Sequence, residues 1–163
     1  MTDLKSPVNP LFLREQELNR GIEMLYFAYR DFVAEPDRIL EPLGFGRAHH
    51  RAIYFIGRAP DMPVASLLET LQITKQSLSR VLGQLVRGGY VAQRKGSRDR
   101  RQRLLSLTEK GRELERRLSA VQRVRVARAY REAGAEAVEG FQTVLLGLMV
   151  ESDRQRFEGD SRG

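Results

Sequence analysis

Apolar residues recur at helical spacing through most of this chain. From Leu11 to Val33, the positions Leu18, Ile22, Leu25, Tyr29 and Phe32 return every three or four residues, and Tyr26 and Phe27 widen the stripe. That pattern predicts an amphipathic helix, ended at Glu35-Pro36 because the residue before a proline is pushed out of helical geometry. Residues 36–46, with Pro42, Gly44 and Gly46, read as a connector. A short helix is predicted over Arg47–Ile56, stopped by Gly57, and Pro60–Met62 reads as a turn. Pro63 suits a helix start, where its missing N–H is not needed. Val64, Leu67, Leu68 and Leu71 then form one stripe, and Leu78, Val81, Leu82 and Leu85 form the next, with Gln72-Ile73 as the turn between them. Thr74 is placed to cap the second helix and Gly88-Gly89 to end it.

After the glycine pair the period changes. Tyr90–Arg94 and Arg103–Leu107 read as short strands joined by the loop Lys95–Gln102,. Thr108 can cap a long helix carrying Leu114, Leu118, Val121, Val124 and Tyr130, interrupted at Gly134. A last helix from Ala135 carries Val138, Phe141, Leu145, Leu148 and Met149 before a polar tail. Residues 1–9 show little periodicity and read as a frayed arm,. The expected fold is mainly α with a small antiparallel β-wing: a winged helix-turn-helix over residues 47–107. It is flanked by an N-terminal helix and connector (11–46) and C-terminal helices (108–158),. The middle module is too small to cover the apolar faces of those terminal helices, so they are expected to pair two copies into a homodimer.

Charge sharpens this picture. Residues 74–103 hold nine Lys or Arg and a single acid, Asp99. Residues 47–106 hold twelve basic and three acidic groups, against five and eight in 1–46 and eleven and ten in 107–163. One sign dominates only in the middle, which points to a polyanion and not merely a solvated face. On the helix of that block, Gln76, Arg80, Gly83 and Arg87 lie opposite the apolar stripe, flanked by Ser79 and Gln84,. There is no cysteine, which removes disulfides, thiolate metal sites and thiol sensing. The pair His49-His50 does not make a metal site, since adjacent helical residues point about 100° apart. No Gly-rich phosphate loop or nucleophile–base motif supports an enzyme, and no cofactor is expected. The absence of an apolar leader or spanning stretch predicts a cytoplasmic protein that does not enter a membrane.

Residues 63–113 carry a resemblance. The stretches PVASLLETLQITKQSLSRVLGQLVRGGYVAQR and SRDRRQRLLSLTEKGREL are similar to the MarR family of bacterial winged-helix transcription regulators. Asp99-Arg100-Arg101 matches the family's wing tip, and Leu107-Thr108-Glu109-Lys110-Gly111 matches its Leu-Thr-x-x-Gly. The resemblance implies a triangular homodimer with intertwined terminal helices, the recognition helix in a major groove and the wing in the neighbouring minor groove. It implies that Asp99 orients Arg101, with Arg100 on phosphate or groove. It also implies an effector cleft for small phenolic or anionic compounds, for which Tyr26, Tyr29, Phe45, His49, Arg51 and Tyr54 are the candidates. The sequence departs from the family in three places. Pro63 stands where a Thr or Ser cap is common, leaving Asp61 as the alternative cap. Gly88 replaces a frequently charged residue. Gly96-Ser97-Arg98 replaces an acid-containing lead-in, which makes this wing more cationic.

Roles follow from side-chain chemistry. Gln76, Ser79 and Arg80 are the candidates for base edges, because Gln matches adenine and Arg matches guanine bidentately. Thr74, Lys75, Gln84, Arg94, Lys95 and Arg98 are expected on phosphates. Arg101 is expected to read minor-groove width. The expected function is a sequence-specific regulator of transcription, more a repressor than an activator, on a pseudo-palindromic double-stranded site. The alternative is an architectural DNA- or RNA-binding protein that uses the basic hairpin without sequence preference. The specificity ratio and salt slope together separate the two.

Overall fold

The computed structural model describes residues 10–158, so the arm expected over residues 1–9 lies outside the described residues. After a single 3-10 turn at Leu11–Leu13, helix α1 runs Glu15–Leu40. A second such turn, Glu41–Leu43, leads to α2 at Arg47–Arg58. Strand β1 (Met62–Pro63), α3 (Val64–Leu71), α4 (Lys75–Arg87), β2 (Val91–Lys95) and β3 (Arg103–Leu107) complete the central module. Helices α5 (Glu109–Ala133), α6 (Ala135–Leu148) and α7 (Glu151–Glu158) follow. The described residues form two compact units that divide between Gln122 and Arg123.

In the first unit the predicted stripes are the core. Leu78, Val81, Leu82 and Leu85 of α4 are all buried, together with Leu67 and Leu71 of α3 and Ala52, Ile53 and Ile56 of α2. Burying such an aliphatic side chain is worth roughly 1.5–3 kcal/mol, so these stripes fix which faces of α3 and α4 remain outside. The turn between α3 and α4 spends Gln72 in the left-handed region, at φ 50°. Helix α4 then ends in a Schellman arrangement. Gly89 sits at φ 79°, its N–H donates to the Val86 carbonyl at 3.0 Å, and the Tyr90 N–H donates to the Leu85 carbonyl at 2.9 Å,.

Strands β2 and β3 pair antiparallel, with Val91 opposite Leu107 and Lys95 opposite Arg103. The hairpin expected at Tyr90–Arg94 starts one residue later, and β3 matches its expected span. The turn read at Pro60–Met62 is present, closed by the Met62 N–H donating to the Ala59 carbonyl at 3.1 Å, and it leads into a third strand at Met62–Pro63 that the sequence pattern does not suggest. Met62 and Pro63 pair with Leu105 and Leu104, giving the order β1-β3-β2.

Two expected helix ends are corrected. Pro36 lies inside α1, which continues to Leu40. Val33, Pro36 and Leu40 are the buried residues of that helix and fall on one face, so apolar burial offsets the roughly 3 kcal/mol that an interior proline costs,. Most of the expected connector is therefore helix. Gly57 does not stop α2 either. It sits within the helix where a Cβ would approach the Leu107 Cδ1 to 2.9 Å, so its small size serves close packing on β3.

Helix α1 keeps little of its apolar stripe covered. Ile22 is 66% exposed, and Leu18, Leu25, Tyr26 and Tyr29 are exposed as well. In the second unit, Val138 is half-buried, while Phe141, Val144 and Leu148 of α6 are exposed. There the ring of Phe141 meets Tyr130 edge-on at 6.3 Å. The polar tail after Met149 forms α7, whose Arg156 and Asp153 form an i,i+3 ion pair at 3.7 Å,. No helix among the described residues is long and apolar enough to cross a membrane.

Candidate nucleic-acid interface

Helix α4 begins at a working cap. The Thr74 hydroxyl oxygen accepts the Ser77 N–H at 3.1 Å, and its O–H donates to the Ser77 hydroxyl at 2.9 Å. With the apolar stripe turned inward, Lys75, Gln76, Ser79 and Arg80 are left exposed over the first two turns. Their direction is thus a consequence of the burial of Leu78, Val81 and Leu82,. Among the described residues, Lys75 and Arg80 form no ion pair, so both charges stay available.

The wing is shaped by its one acid. Asp99 Oδ1 accepts the main-chain N–H of Arg101 at 2.9 Å, and the Asp99 carbonyl accepts the Gln102 N–H at 3.1 Å. The Gly96 N–H in turn donates to the Gln102 carbonyl at 3.1 Å. Asp99 therefore holds Arg101 through its main-chain N–H. An Asx-type bond of this kind bends the loop locally and leaves the guanidinium free. Arg98, Arg100 and Arg101 are exposed around the turn, and Lys95 is exposed at the end of β2.

Two of the residues expected on phosphate have other partners. The Arg94 guanidinium forks onto Asp61 Oδ1 at 3.2 Å, tying the loop end of β2 to the turn before α3. Asp61 itself sits at φ 62° and makes no cap for α3. Gln84 is half-buried, and its Oε1 lies 2.6 Å from His49 Nε2. It lies at the edge of the buried stripe, so its amide is spent inside the module.

The sequence reading passed over Gln93 and Arg103. In an antiparallel pair, opposed residues share a face, so Val91, Gln93 and Lys95 lie with Leu107, Leu105 and Arg103,. The inner part of that face enters the core. Its outer part carries Gln93 and Arg103 into a groove of about 530 Å³ shared with Lys75, Ser79 and Gly83 of α4. Neither VAQRK nor RLLSL alternates cleanly, so only the strand register, which sets residues two apart on one face, identifies them,.

A second concavity, about 260 Å³, lies between α1 and α2 and is lined by Tyr29, Phe32, Arg47, His50, Arg51 and Tyr54, among others. Of the six residues expected in an effector cleft, Tyr29, Arg51 and Tyr54 line it and Tyr26, Phe45 and His49 do not. Tyr26 is exposed on α1. Phe45 and His49 belong to the core side of α2, where their rings stack at 4.6 Å and Phe45 meets Tyr90 edge-on at 5.3 Å. The helical rotation of about 100° between neighbours puts His50, and not His49, in the concavity. Burial lowers the His50 pKa below its ordinary value and Arg51 adds to the effect, while Asp37 and Glu115 oppose it,. Arg47 pairs with Asp37 at 3.3 Å, and Arg51 is exposed.

The comparisons with known proteins agree with this geometry. Residues 43–102 match a family model described as the MarR family. The HTH-type transcriptional regulator PetP of Rhodobacter capsulatus is 53% identical over 148 residues, covering 91% of this chain and 89% of that protein. Among solved structures, Streptococcus pneumoniae FabT in complex with DNA superposes at a TM-score of 0.72, with 23% identity, over 80% of this chain and 94% of that one. A Mycobacterium tuberculosis MarR family protein in complex with p-aminosalicylic acid is 26% identical, with a TM-score of 0.55, over 77% of this chain and 95% of that one. Identity above half across nine-tenths of the sequence leaves one assignment: the chain belongs to the MarR family of winged helix-turn-helix transcriptional regulators.

Proposed function

We propose that this regulator is a homodimeric, sequence-specific repressor that binds a pseudo-palindromic site in double-stranded DNA and is released by a small anionic or phenolic effector. The observation that carries the reading is the outward row on α4. Gln76, Ser79 and Arg80 are exposed on a helix whose opposite face is locked into the core. In this reading Arg80 and Gln76 meet base edges, and Ser79 fills in beside them. Thr74, Lys75, Lys95, Arg98 and Arg100 hold phosphates, while Arg101 enters the minor groove. Gln93 and Arg103 join them from the strand side, and Arg94 and Gln84 are left out because each already has a partner.

The exposed apolar residues of α1, and separately those of α6, support a dimer built from residues 11–46 and 108–158 around the reading module 47–107,. Two copies suit half-sites about one DNA turn, roughly 34 Å, apart. The DNA bound by the streptococcal structure and the aromatic acid bound by the mycobacterial one are in keeping with this partner and this effector class. In this chain the concavity with Tyr29, Tyr54, Arg47 and Arg51 offers rings and positive charge to such an acid.

The test is selection of binding sites from a random duplex library, followed by affinity for the selected duplex and its scramble across a salt series. Preference for the selected duplex and a dimer in sedimentation at micromolar concentration are the expected results. Equal binding to both duplexes would favour the architectural alternative, and a monodisperse monomer would overturn the dimer.

A further inference from the structure

We propose that the His49–Gln84 hydrogen bond is a positioning contact for the recognition helix, fixing the rotation of α4 on which discrimination between DNA sequences depends. This rests on the reading of α4 as the sequence-reading element.

His49 is 6% exposed, and both of its ring nitrogens are used. The Gly46 N–H, the free donor at the start of α2, meets Nδ1 at 3.0 Å. A nitrogen that accepts carries no proton, so the neutral ring holds its proton on Nε2, which donates to Gln84 Oε1 at 2.6 Å,. The ring plane is held by stacking on Phe45 at 17° between planes. His49 therefore has one tautomer, one ring orientation and one direction for its donor.

Gln84 lies four residues beyond Arg80, one turn along the same side of α4,. The apolar stripe Leu78, Val81, Leu82 and Leu85 gives that helix affinity for the core, but apolar packing is not directional,. The directional restraint on this side of α4, among the described residues, is the bond to His49. Base readout needs side chains placed within about 0.5 Å, so a small rotation of α4 degrades specific contacts before phosphate contacts. The other end of the restraint is α2, which also presents Arg47, His50, Arg51 and Tyr54 to the concavity.

Three variants separate the parts. His49→Asn keeps an acceptor for the Gly46 N–H but is too short to reach Gln84. His49→Gln keeps a donor that reaches Gln84 and gives up the Gly46 bond. Gln84→Met removes the acceptor at similar volume. The probes are a duplex selected by the wild-type protein from a random library and its scramble, with thermal melts as the control for folding. His49→Asn and Gln84→Met are expected to weaken binding to the selected duplex about tenfold and to the scramble less than about twofold. His49→Gln is expected to retain most of the wild-type preference. The double variant His49→Asn/Gln84→Met is expected to lose no more than either single change, since both break the same bond. Wild-type preference in both His49→Asn and Gln84→Met would overturn the proposal, as would equal losses on the two duplexes. A loss in Gln84→Met alone would overturn it too, by making Gln84 itself the DNA contact. A wild-type protein that prefers no duplex would remove the reading on which the proposal stands.

Discussion

Gly111 lies so close to the main chain of Tyr90 that a Cβ there would stand 2.0 Å from the Tyr90 carbonyl oxygen. That carbonyl also accepts the Thr108 N–H at 3.1 Å, and the Lys110 ammonium donates to the Gly88 carbonyl at 2.8 Å. The Thr108 hydroxyl donates to the Gly89 carbonyl and accepts the Gly111 N–H. The segment Leu107-Thr108-Glu109-Lys110-Gly111 is thus the clasp that holds the first turn of α5 against the end of α4. Gly111→Ala is expected to destabilise the protein by about 2–3 kcal/mol, because backbone and not a pliable side chain must yield. Denaturant unfolding checks this, and an unchanged midpoint would mean that the two segments separate at no cost.

Arg80 is the side chain on which sequence preference should depend most. Arg80→Ala is expected to cost about 1–3 kcal/mol at one base pair and to relax preference there. Binding-site selection with the variant reads this directly. Equal losses on selected and scrambled DNA would reassign Arg80 to a phosphate.

The wing acid separates shape from charge. Asp99→Ala removes a negative charge from the cationic wing loop, yet it is expected to weaken DNA binding, because the bond to the Arg101 N–H is lost,. Asp99→Asn keeps that acceptor while removing the charge, and it should bind as well as the wild type or better. Tighter binding by Asp99→Ala, measured by titration at fixed salt, would show that charge outweighs loop geometry.

The lowered pKa of His50 gives stability a pH dependence with a definite sign. Between the lowered folded value and the ordinary value near 6.5, the unfolded chain binds the extra proton. The contribution is therefore fully present above about pH 6.5 and is lost as pH falls through that range. Melting temperatures at about pH 7.5 and about pH 5.5 should differ more for the wild type than for His50→Asn. Parallel curves would mean that His50 does not titrate in this window.

Much of the central module was legible because its elements follow simple periods. The stripe Leu78, Val81, Leu82, Leu85 and the stop at Gly88-Gly89 were visible in the sequence and are buried and terminated as expected. What was not legible depends on partners distant in sequence. Pro36 reads as a breaker unless Val33 and Leu40 are known to enter the core beside it. Gly57 reads as a stop unless Leu107 is known to press on it. Arg94 reads as free charge until Asp61, thirty-three residues earlier, is placed opposite. By contrast, His49 lies three, four and seven residues before Ala52, Ile53 and Ile56, so the apolar period itself carries His49, and not His50, into the core,.

In the proposed dimer, pairing through the uncovered stripe on α1, with Leu18, Ile22 and Leu25 open to water, would make abundance part of the regulatory logic. A dimer assembled through such a surface obeys mass action, and the stability of its protomers cannot be separated from their concentration. Below the dissociation constant of the pair, halving the number of chains lowers the active species about fourfold. Gene dosage, dilution at cell division and turnover of lone protomers would then set the sharpness of the response, independently of any change in affinity for DNA.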